Sequence, residues 1–351
     1  YKMLSIDYSD LLSSKDCSNV IENALSIKGV GALLITNLPQ KYIDMRRRLL
    51  MLSRRFAELP EEVKNKYVHE ESKYSFGWSS GKEKMKVDED ADVCKGSYYA
   101  NPICDKLTDD NTLIKKHPSF YYQNIWPTED LPEYEIAFKD LGKFMYNLGL
   151  ELIKNCDSYL SNKIKNYPSN NLYSKITREK VAKARLLHYE PAKNITESLE
   201  DGLCSWHLDH GCLTMLTSAI FLDENKVETI KPNDCGLLIK DQGGNTVYGN
   251  IPSNALLCQA GETLQILSGG HIVANQHAVK SHINNNISRE TFPVFIDCSP
   301  YELIKTPDYG INEKEVLYTR YLPKGAPKLS DRVDGCEYYH EFVTKTLSAY
   351  Y

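Results

Sequence analysis

The sequence lacks any long apolar run, and no stretch approaches the roughly 18 residues that a helix needs to cross a bilayer. The first residues, Tyr1 to Leu12, also lack the charged start and apolar core of a secretory signal. These absences argue against a membrane protein and against a secreted one. The chain does not begin with methionine, so whether a targeting leader precedes Tyr1 stays open.

The chain has little excess charge of either sign. It contains 42 Lys and Arg residues against 47 Asp and Glu residues, which gives a net charge of −5 at pH 7 in 351 residues. Proteins that bind nucleic acid or an anionic membrane surface usually carry a strong excess of basic residues. We therefore expect neither nucleic acid nor a membrane as a partner.

Clustered cysteines are missing as well. The ten cysteines occur singly between Cys17 and Cys336, with no Cys-X-X-Cys motif. In a chain of this length such spacing favours reduced, mostly buried thiols over a disulfide framework. Together with the lack of a secretory signal, this spacing predicts a cytoplasmic protein.

Helical patterns fill the first part of the chain and β patterns the later part. The apolar stripe from Glu133 to Lys154 predicts one long helix. Beyond it, short β-prone runs between turn residues predict a sandwich, barrel or jelly roll, and they include Ala184 to Tyr189, Thr263 to Leu267 and Ile272 to Val279. Helices followed by a block of strands predict the α+β class with one β core.

Three histidines are followed two positions later by an acidic residue: His69-Glu71, His188-Glu190 and His207-Asp209. Side chains at i and i+2 of an extended segment point from the same face, so such a pair can hold a divalent metal. His69 lies in a predicted helix, where i and i+2 do not share a face. His188 lies at the end of a predicted strand and competes with His207 on local grounds.

Residues downstream of Asp209 favour the His207 pair. His277 falls in a predicted strand, and Arg289 and Thr291 share a face of the next one. A guanidinium in an apolar strand is costly to bury unless an anion pairs with it, and arginine is the usual bidentate partner of a carboxylate. Arg289 and Thr291 therefore predict an anion-binding site downstream of the His207 pair.

The ordered combination resembles the Fe(II)- and 2-oxoglutarate-dependent dioxygenases, specifically their isopenicillin N synthase-like branch. The segment WHLDHGCLTML resembles that branch's His-X-Asp strand, and LQILSGGHIVANQHAV resembles the strand pair with its distal histidine. ARLLHYEP resembles its Arg-X-X-X-Tyr-Pro segment, and GALLITNLP and RRFAELPEEVKNKY resemble its helical cap region. The resemblance spans most of the chain, with gaps.

The resemblance implies a double-stranded β-helix, or jelly-roll, core with N-terminal and C-terminal helices packed around it. Residues 1–130 would form the helical cap region, and residues 131–300 the long helix and the jelly-roll core. Residues 301–351 would form a C-terminal extension that we expect to be helical.

The resemblance also implies a ligand set. Fe(II) would be held by His207, Asp209 and His277, with 2-oxoglutarate as co-substrate and ascorbate as an optional reductant. The far carboxylate of 2-oxoglutarate would be bound by the three further site residues, Arg289, Thr291 and Tyr189.

Some positions depart from the family pattern or compete with it. Thr291 stands where serine is usual and keeps the hydroxyl, and Glu190 stands where a proline usually follows the tyrosine. His282 has the opposite strand parity to His277 and lies in a polar loop, which argues against it as the distal ligand. His271 has the same parity as His277, so spacing does not exclude it, and only the resemblance favours His277.

The activity implied is the coupling of 2-oxoglutarate decarboxylation, to succinate and CO2, with hydroxylation or another oxidation of a small molecule by O2. Two alternatives stay open. One is an Fe(II) oxidase of the same fold in which Arg289 and Thr291 bind the substrate's own carboxylate, and the other is a non-catalytic jelly-roll binding protein. The sequence identifies neither the substrate nor the oligomeric state.

Overall fold

The structure is a computed structural model that describes residues 2–82, 95–191, 204–233, 235–280, 286–322 and 326–350. Its helices are α1 Tyr8–Leu12, α2 Ser18–Leu25, α3 Gln40–Ala57, α4 Glu61–Lys64, α5 Asn111–Lys116, α6 Pro118–Tyr121, α7 Tyr134–Lys163, α8 Asn171–Thr177, α9 Glu262–Leu267, α10 Glu313–Val316, α11 Leu329–Val333 and α12 Tyr339–Tyr350. Over these described ranges, no helix combines the length and the apolar character that a membrane crossing requires.

The strands are β1 Ser5–Asp7, β2 Ala32–Thr36, β3 Gly77–Ser80, β4 Lys95–Ala100, β5 Ala182–Tyr189, β6 Cys204–His207, β7 Leu213–Thr217, β8 Ile220–Leu222, β9 Gly236–Lys240, β10 Thr246–Tyr248, β11 Leu256–Ala260, β12 His277–Lys280, β13 Ser288–Thr291 and β14 Pro293–Ile296. They form a ten-stranded sheet, in the order β1-β2-β11-β7-β14-β5-β13-β8 with β4 and β3 joined to β5. The second sheet has four strands in the order β10-β9-β12-β6. Two sheets with a surrounding set of helices confirm the predicted α+β class.

The two sheets meet through a buried apolar cluster. The large sheet contributes Leu187 and Leu257, and the small sheet contributes Leu237, Ile239 and Val279. Because side chains alternate along a strand, every second residue of β5 and β13 points into this space between the sheets. The space is therefore where inward-pointing polar side chains would be held.

The other face of the large sheet is covered by helices, chiefly α3 and the long α7. At Gly149 of α7 an added Cβ would lie 2.2 Å from the Cδ1 of Ile296 on β14, so glycine lets the helix and the strand approach closely without displacing the Ile296 side chain. The long helix predicted from its apolar stripe is present and runs further than predicted, to Lys163. Its packing fixes the back of the sheet whose front carries the candidate site.

His188 lies on this helix-covered face. Its Nδ1 is 2.9 and 3.0 Å from the two carboxylate oxygens of Glu290, which also accepts a hydrogen bond from the Ser288 hydroxyl at 2.7 Å. Both partners are buried, and Glu290 is fully buried. The pair ties β5 to β13 from behind, so His188 does not compete for a metal with His207.

Two of the predicted strands are wrong. Residues Glu262–Leu267 form helix α9, and the predicted strand from Ile272 to Val279 is β only from His277 onward. Every residue of α9 is buried, so no polar face marks its helical period in the sequence. Gln265 holds the helix in place by donating to the carbonyls of Val316 and Tyr318 and accepting from Ala274.

Candidate metal and anion site

His207 and His277 lie side by side in the small sheet. β6 ends at His207, β12 begins at His277, and the two residues are directly paired in the antiparallel register. Their ring centroids are 4.3 Å apart. The pairing of two strands distant in sequence therefore brings together the two histidines that the motif predicted.

Asp209 completes this cluster from the segment that follows β6. Its Oδ1 lies 3.9 Å from Nε2 of His207 and 3.7 Å from Nε2 of His277. Its Oδ2 accepts a hydrogen bond from the Thr214 hydroxyl at 2.6 Å, and its backbone carbonyl accepts one from the Glu262 amide at 2.8 Å. Thr214 thus holds the carboxylate and Glu262 holds the backbone of the same residue, while Oδ1 of the carboxylate faces the two imidazoles.

The ligand atoms of His207, Asp209 and His277 all lie within 4.8 Å of one another. Across the described ranges, this is the one group of three His, Cys, Asp or Glu side chains that could hold a metal ion. Two imidazoles and one carboxylate on one side of a metal leave its remaining positions open for other ligands.

The electrostatics of the cluster favour the metal-binding protonation states. Burial and the neighbouring His207 lower the pKa of His277 to about 4. Burial opposes ionisation of Asp209, but the charges of His277 and His207 and the Thr214 hydrogen bond outweigh it, so the pKa of Asp209 is lowered. A neutral imidazole and an ionised carboxylate are the forms that bind metals.

The competing histidines do not join this cluster. His69 stacks on Tyr122 with ring centroids 3.7 Å apart, and its partner Glu71 is exposed. His271 is half-buried just after α9 and lies outside the three-residue group. His282 lies outside the described residues.

Arg289 and Thr291 face the space between the sheets on β13. Arg289 is 7% exposed, and across the described chain its Nε and Nη1 have no hydrogen-bond partner. The Thr291 hydroxyl lies 3.4 Å from the Thr217 carbonyl oxygen, and Thr291 is also buried. A buried guanidinium with unsatisfied donors is a site for an anion, because leaving such donors unpaired is costly.

Tyr189 lies beside Arg289, directly opposite it in the pairing of β5 with β13. The Arg289 guanidinium carbon is 5.1 Å from the centroid of the Tyr189 ring, and Tyr189 is buried. The Tyr189 ring therefore lies against one side of the Arg289 guanidinium.

A cavity of about 420 Å³ opens beside the cluster and is lined by His207, Asp209 and Thr214. Its lining also includes Lys183, Arg185 and Tyr99. None of these three was predicted to bind a ligand, although Arg185 is the arginine of the segment ARLLHYEP. The signal in the sequence was a lysine and an arginine at alternate positions of an otherwise apolar strand, AKARLLHY. A cavity of this size matches pockets that bind small organic molecules.

The C-terminal helix α12 contributes Val343, Thr346 and Leu347 to the cavity wall. It is held by Arg332, whose guanidinium donates to Thr346 at 3.1 Å and to both oxygens of Glu262 at 2.6 and 2.8 Å. Because the Glu262 amide binds the backbone of Asp209, this buried ion pair connects the helix to the metal-ligand segment.

Lys183, which lines the cavity, should make the free energy of unfolding depend on pH. Burial lowers the pKa of Lys183 from 10.5 to about 7. Between pH 7 and 10 the unfolded chain therefore binds more protons than the folded one, so this group makes stability rise with pH. We expect the free energy of unfolding of the wild type to rise by roughly 2–4 kcal/mol relative to Lys183→Met over this range, measured by urea denaturation. Parallel pH profiles for the two proteins would contradict the burial argument.

No family model matches the chain, and no curated protein sequence matches it significantly. Several solved structures match the chain. A Caulobacter crescentus protein with a provisional 2OG-Fe(II) oxygenase family assignment is 18% identical, with 99% of this chain and 98% of that one covered and a TM-score of 0.70. A full-length Neurospora crassa protein in complex with alpha-KG and thymine is 18% identical, with 99% and 97% covered and a TM-score of 0.70. JOX2 in complex with 2OG, Fe and JA is 16% identical, with 94% and 83% covered and a TM-score of 0.61. At these identities the similarity establishes the fold, which this chain shares with one protein assigned to the 2OG-Fe(II) oxygenase family and with two proteins solved in complex with alpha-KG or with 2OG and Fe.

Proposed function

We propose that this chain is a non-haem Fe(II) oxygenase that couples decarboxylation of 2-oxoglutarate to oxidation of a small organic molecule by O2. The observation that carries the proposal is the cluster of His207, Asp209 and His277, with ligand atoms within 4.8 Å, in the same β core as the unsatisfied guanidinium of Arg289. The fold similarity to structures that contain 2-oxoglutarate supports it.

His207, Asp209 and His277 fit Fe(II) by their chemistry. Two neutral imidazoles and one carboxylate neutralise one of the ion's two charges, which leaves a site suited to an anionic ligand. Bound Fe(II) and 2-oxoglutarate together would supply the oxidising chemistry by activating O2. The Thr214 hydroxyl orients the carboxylate and the Glu262 amide fixes the backbone of Asp209, a role that outer partners of metal ligands commonly have.

Arg289 fits the far carboxylate of 2-oxoglutarate. Its Nε and Nη1 are unsatisfied, and each of them forms, together with Nη2, one of the two guanidinium edges that match a carboxylate. The Thr291 hydroxyl can turn to the same anion, since its distance to the Thr217 carbonyl, 3.4 Å, allows only a weak bond there. The Tyr189 ring keeps the guanidinium in position and shields it from water.

We propose that the two facing sheets form a double-stranded β-helix of the isopenicillin N synthase-like branch, with residues 1–130 as cap and 301–351 as C-terminal extension. Small-molecule substrate and O2 are the proposed partners. A cytoplasmic location and the absence of nucleic-acid and membrane partners stay predictions from the sequence.

Anaerobic spectroscopy tests the proposal. Adding Fe(II) and then 2-oxoglutarate to the protein should produce a visible charge-transfer band, since the keto acid chelates the iron. Glutarate, which lacks the keto group, should give no band, and neither should Zn(II), whose d shell is filled.

The outcomes separate the alternatives. Fe(II) uptake without a band at millimolar 2-oxoglutarate would favour the oxidase in which Arg289 binds the substrate's own carboxylate. No uptake of Fe(II), Mn(II) or Ni(II) would favour a non-catalytic binding protein. Oxygen-dependent formation of succinate is the second readout expected of the proposed enzyme, measured with and without ascorbate.

A further inference from the structure

The metal ligand Asp209 lies in a short segment between two strands. β6 ends at His207 and β7 begins at Leu213, so residues 208–212 belong to neither sheet. The carbonyls of this segment need hydrogen-bond donors from elsewhere, because an unpaired carbonyl inside the protein is costly. The group that supplies those donors decides where the Asp209 carboxylate lies relative to the two histidines.

The first turn of α9 supplies the donors. The Glu262 amide donates to the Asp209 carbonyl at 2.8 Å. The Thr263 hydroxyl donates to the His210 carbonyl at 2.6 Å, and the Thr263 amide donates to the Gly211 carbonyl at 3.1 Å. The first amides of a helix have no partner within the helix, and here the metal-ligand segment accepts from them. The position of this segment therefore depends on the position of α9.

Glycine at position 261 allows the helix and the segment to come this close. The Gly261 amide donates to the Cys212 carbonyl at 2.9 Å. An added Cβ at Gly261 would lie 2.1 Å from the carbonyl oxygen of Gly211 and 3.1 Å from that of Asp209. Because both oxygens belong to the backbone, a side chain at this position would push the metal-ligand segment away. The contact is therefore one of backbone against backbone.

The same helix also holds the chain that leads to His277. The side-chain oxygen of Gln265, in the middle of α9, accepts a hydrogen bond from the Ala274 amide at 2.9 Å. His277 follows Ala274 by three residues. One buried helix thus fixes the backbone near two of the three metal ligands.

The side chain of Glu262 holds α9 in place. Its two oxygens accept hydrogen bonds from the Arg332 guanidinium at 2.6 and 2.8 Å, and the two side chains are 1% and 2% exposed. A two-point bond between a guanidinium and a carboxylate fixes direction as well as distance. The residue whose amide binds Asp209 is therefore itself held by a directional, buried ion pair.

This ion pair also reaches the wall of the cavity. Arg332 donates to the Thr346 hydroxyl at 3.1 Å, and Thr346 lines the cavity together with Val343 and Leu347. These three residues share one side of α12 because they are three or four positions apart. The ion pair therefore sets the place of this cavity wall relative to the metal ligands.

We propose that Glu262 is a positioning residue of the metal site, whose ion pair with Arg332 sets the metal affinity although neither side chain belongs to the metal cluster. The ion pair keeps the first turn of α9 against the Asp209 segment, and this contact keeps the Asp209 carboxylate directed at the two imidazoles. The inference rests on the proposed function for the presence of the metal, whereas the contact between α9 and the Asp209 segment does not depend on it.

Metal titrations test the role of Glu262. Glu262→Gln keeps the size of the side chain, but its amide group places a donor opposite a donor of Arg332. We expect the affinity for Mn(II), followed by electron paramagnetic resonance, to fall about 10- to 100-fold. Arg332→Met should cause a similar loss, because it leaves a buried carboxylate without its counter-charge. Arg332→Lys should cause a smaller loss, since lysine keeps the charge but not the two-point bond.

Hydrogen exchange followed by mass spectrometry tests the contact in the metal-free protein. In Glu262→Gln the amides of α9 and α12 should exchange about tenfold faster than in the wild type, because both helices lose the group that anchors them. The amides of α7 should keep their rates. This measurement needs no metal, so it is independent of the proposed function.

Glu302→Gln is the matched control. Glu302 is also buried, at 2% exposed, and its carboxylate pairs with Lys175 at 2.5 Å and Arg178 at 2.9 Å. It belongs neither to α9 nor to the metal-ligand segment. We expect Glu302→Gln to lower stability to urea without changing the Mn(II) affinity. If Glu262→Gln fails to fold, Thr263→Val replaces it, since this variant removes only a hydroxyl and should weaken Mn(II) by about tenfold.

Equal Mn(II) affinities in Glu262→Gln and the wild type, or equal losses in Glu262→Gln and Glu302→Gln, would overturn the positioning role. Faster exchange of α9 with an unchanged Mn(II) affinity would also overturn it, because the contact would then stabilise the fold alone. A wild type that binds no divalent metal would overturn the proposed function and the positioning role together. Metal binding by the wild type therefore tells the two failures apart.

Discussion

Asp209→Ala should lower the affinity for Fe(II) by about a thousandfold or more and abolish the charge-transfer band with 2-oxoglutarate. The carboxylate is the one anionic group of the cluster, and without it two neutral imidazoles face a doubly charged ion. Removing one partner of a buried charge pair costs about 3–5 kcal/mol, which corresponds to a factor of this size. Anaerobic titration with Fe(II), or with Mn(II) followed by electron paramagnetic resonance, measures the loss.

Two further variants serve as comparisons for the metal affinity of Asp209→Ala. Thr214→Val removes only the hydroxyl that donates to Asp209 at 2.6 Å, and we expect a loss of about 10- to 100-fold in metal affinity. His271→Ala should leave metal affinity unchanged, because His271 lies outside the group whose ligand atoms converge. An unchanged affinity in Asp209→Ala, or a large loss in His271→Ala, would contradict the assignment of the cluster.

Two residue pairs of the site could be predicted from a short-range rule. His207 and Asp209 are two positions apart at a strand end, and Arg289 and Thr291 are two apart within a strand, so the period of two places each pair on one side. The third metal ligand, His277, was preferred to His271 only through the family resemblance. The sequence could not show that His277 pairs directly with His207. That register depends on the packing of both sheets.

The place of Lys183 in the cavity was not predicted, for the same reason. A cross-strand row connects Lys183 through Phe295 to Thr214, and these three residues lie far apart in the chain. Helix α9 was predicted as a strand because its complete burial removes the polar face that distinguishes a helical period. Local patterns therefore gave the ligand pairs, whereas the cavity walls required the sheet topology.

Arg289→Met should weaken 2-oxoglutarate by roughly 30-fold or more while leaving Fe(II) affinity unchanged. The change removes a buried guanidinium whose Nε and Nη1 have no partner among the described residues, so the bound carboxylate would lose its counter-charge in a dry site. Truncating one partner of a buried charge pair typically costs about 2–5 kcal/mol. Titration of the charge-transfer band with 2-oxoglutarate measures the shift, and Thr291→Val should produce a smaller loss in the same direction.

Arg54→Met is the matched control for Arg289→Met, because Arg54 is as deeply buried and lies near the same strands. Its guanidinium is satisfied by the Asp223 carbonyl at 2.6 Å and by Glu58 at 2.8 Å, so it has no need of an anionic ligand. We expect Arg54→Met to lower stability without changing the affinity for 2-oxoglutarate. Equal losses of 2-oxoglutarate affinity in both variants would mean that Arg289 acts through folding, whereas a loss confined to Arg289→Met identifies the guanidinium as the carboxylate's partner.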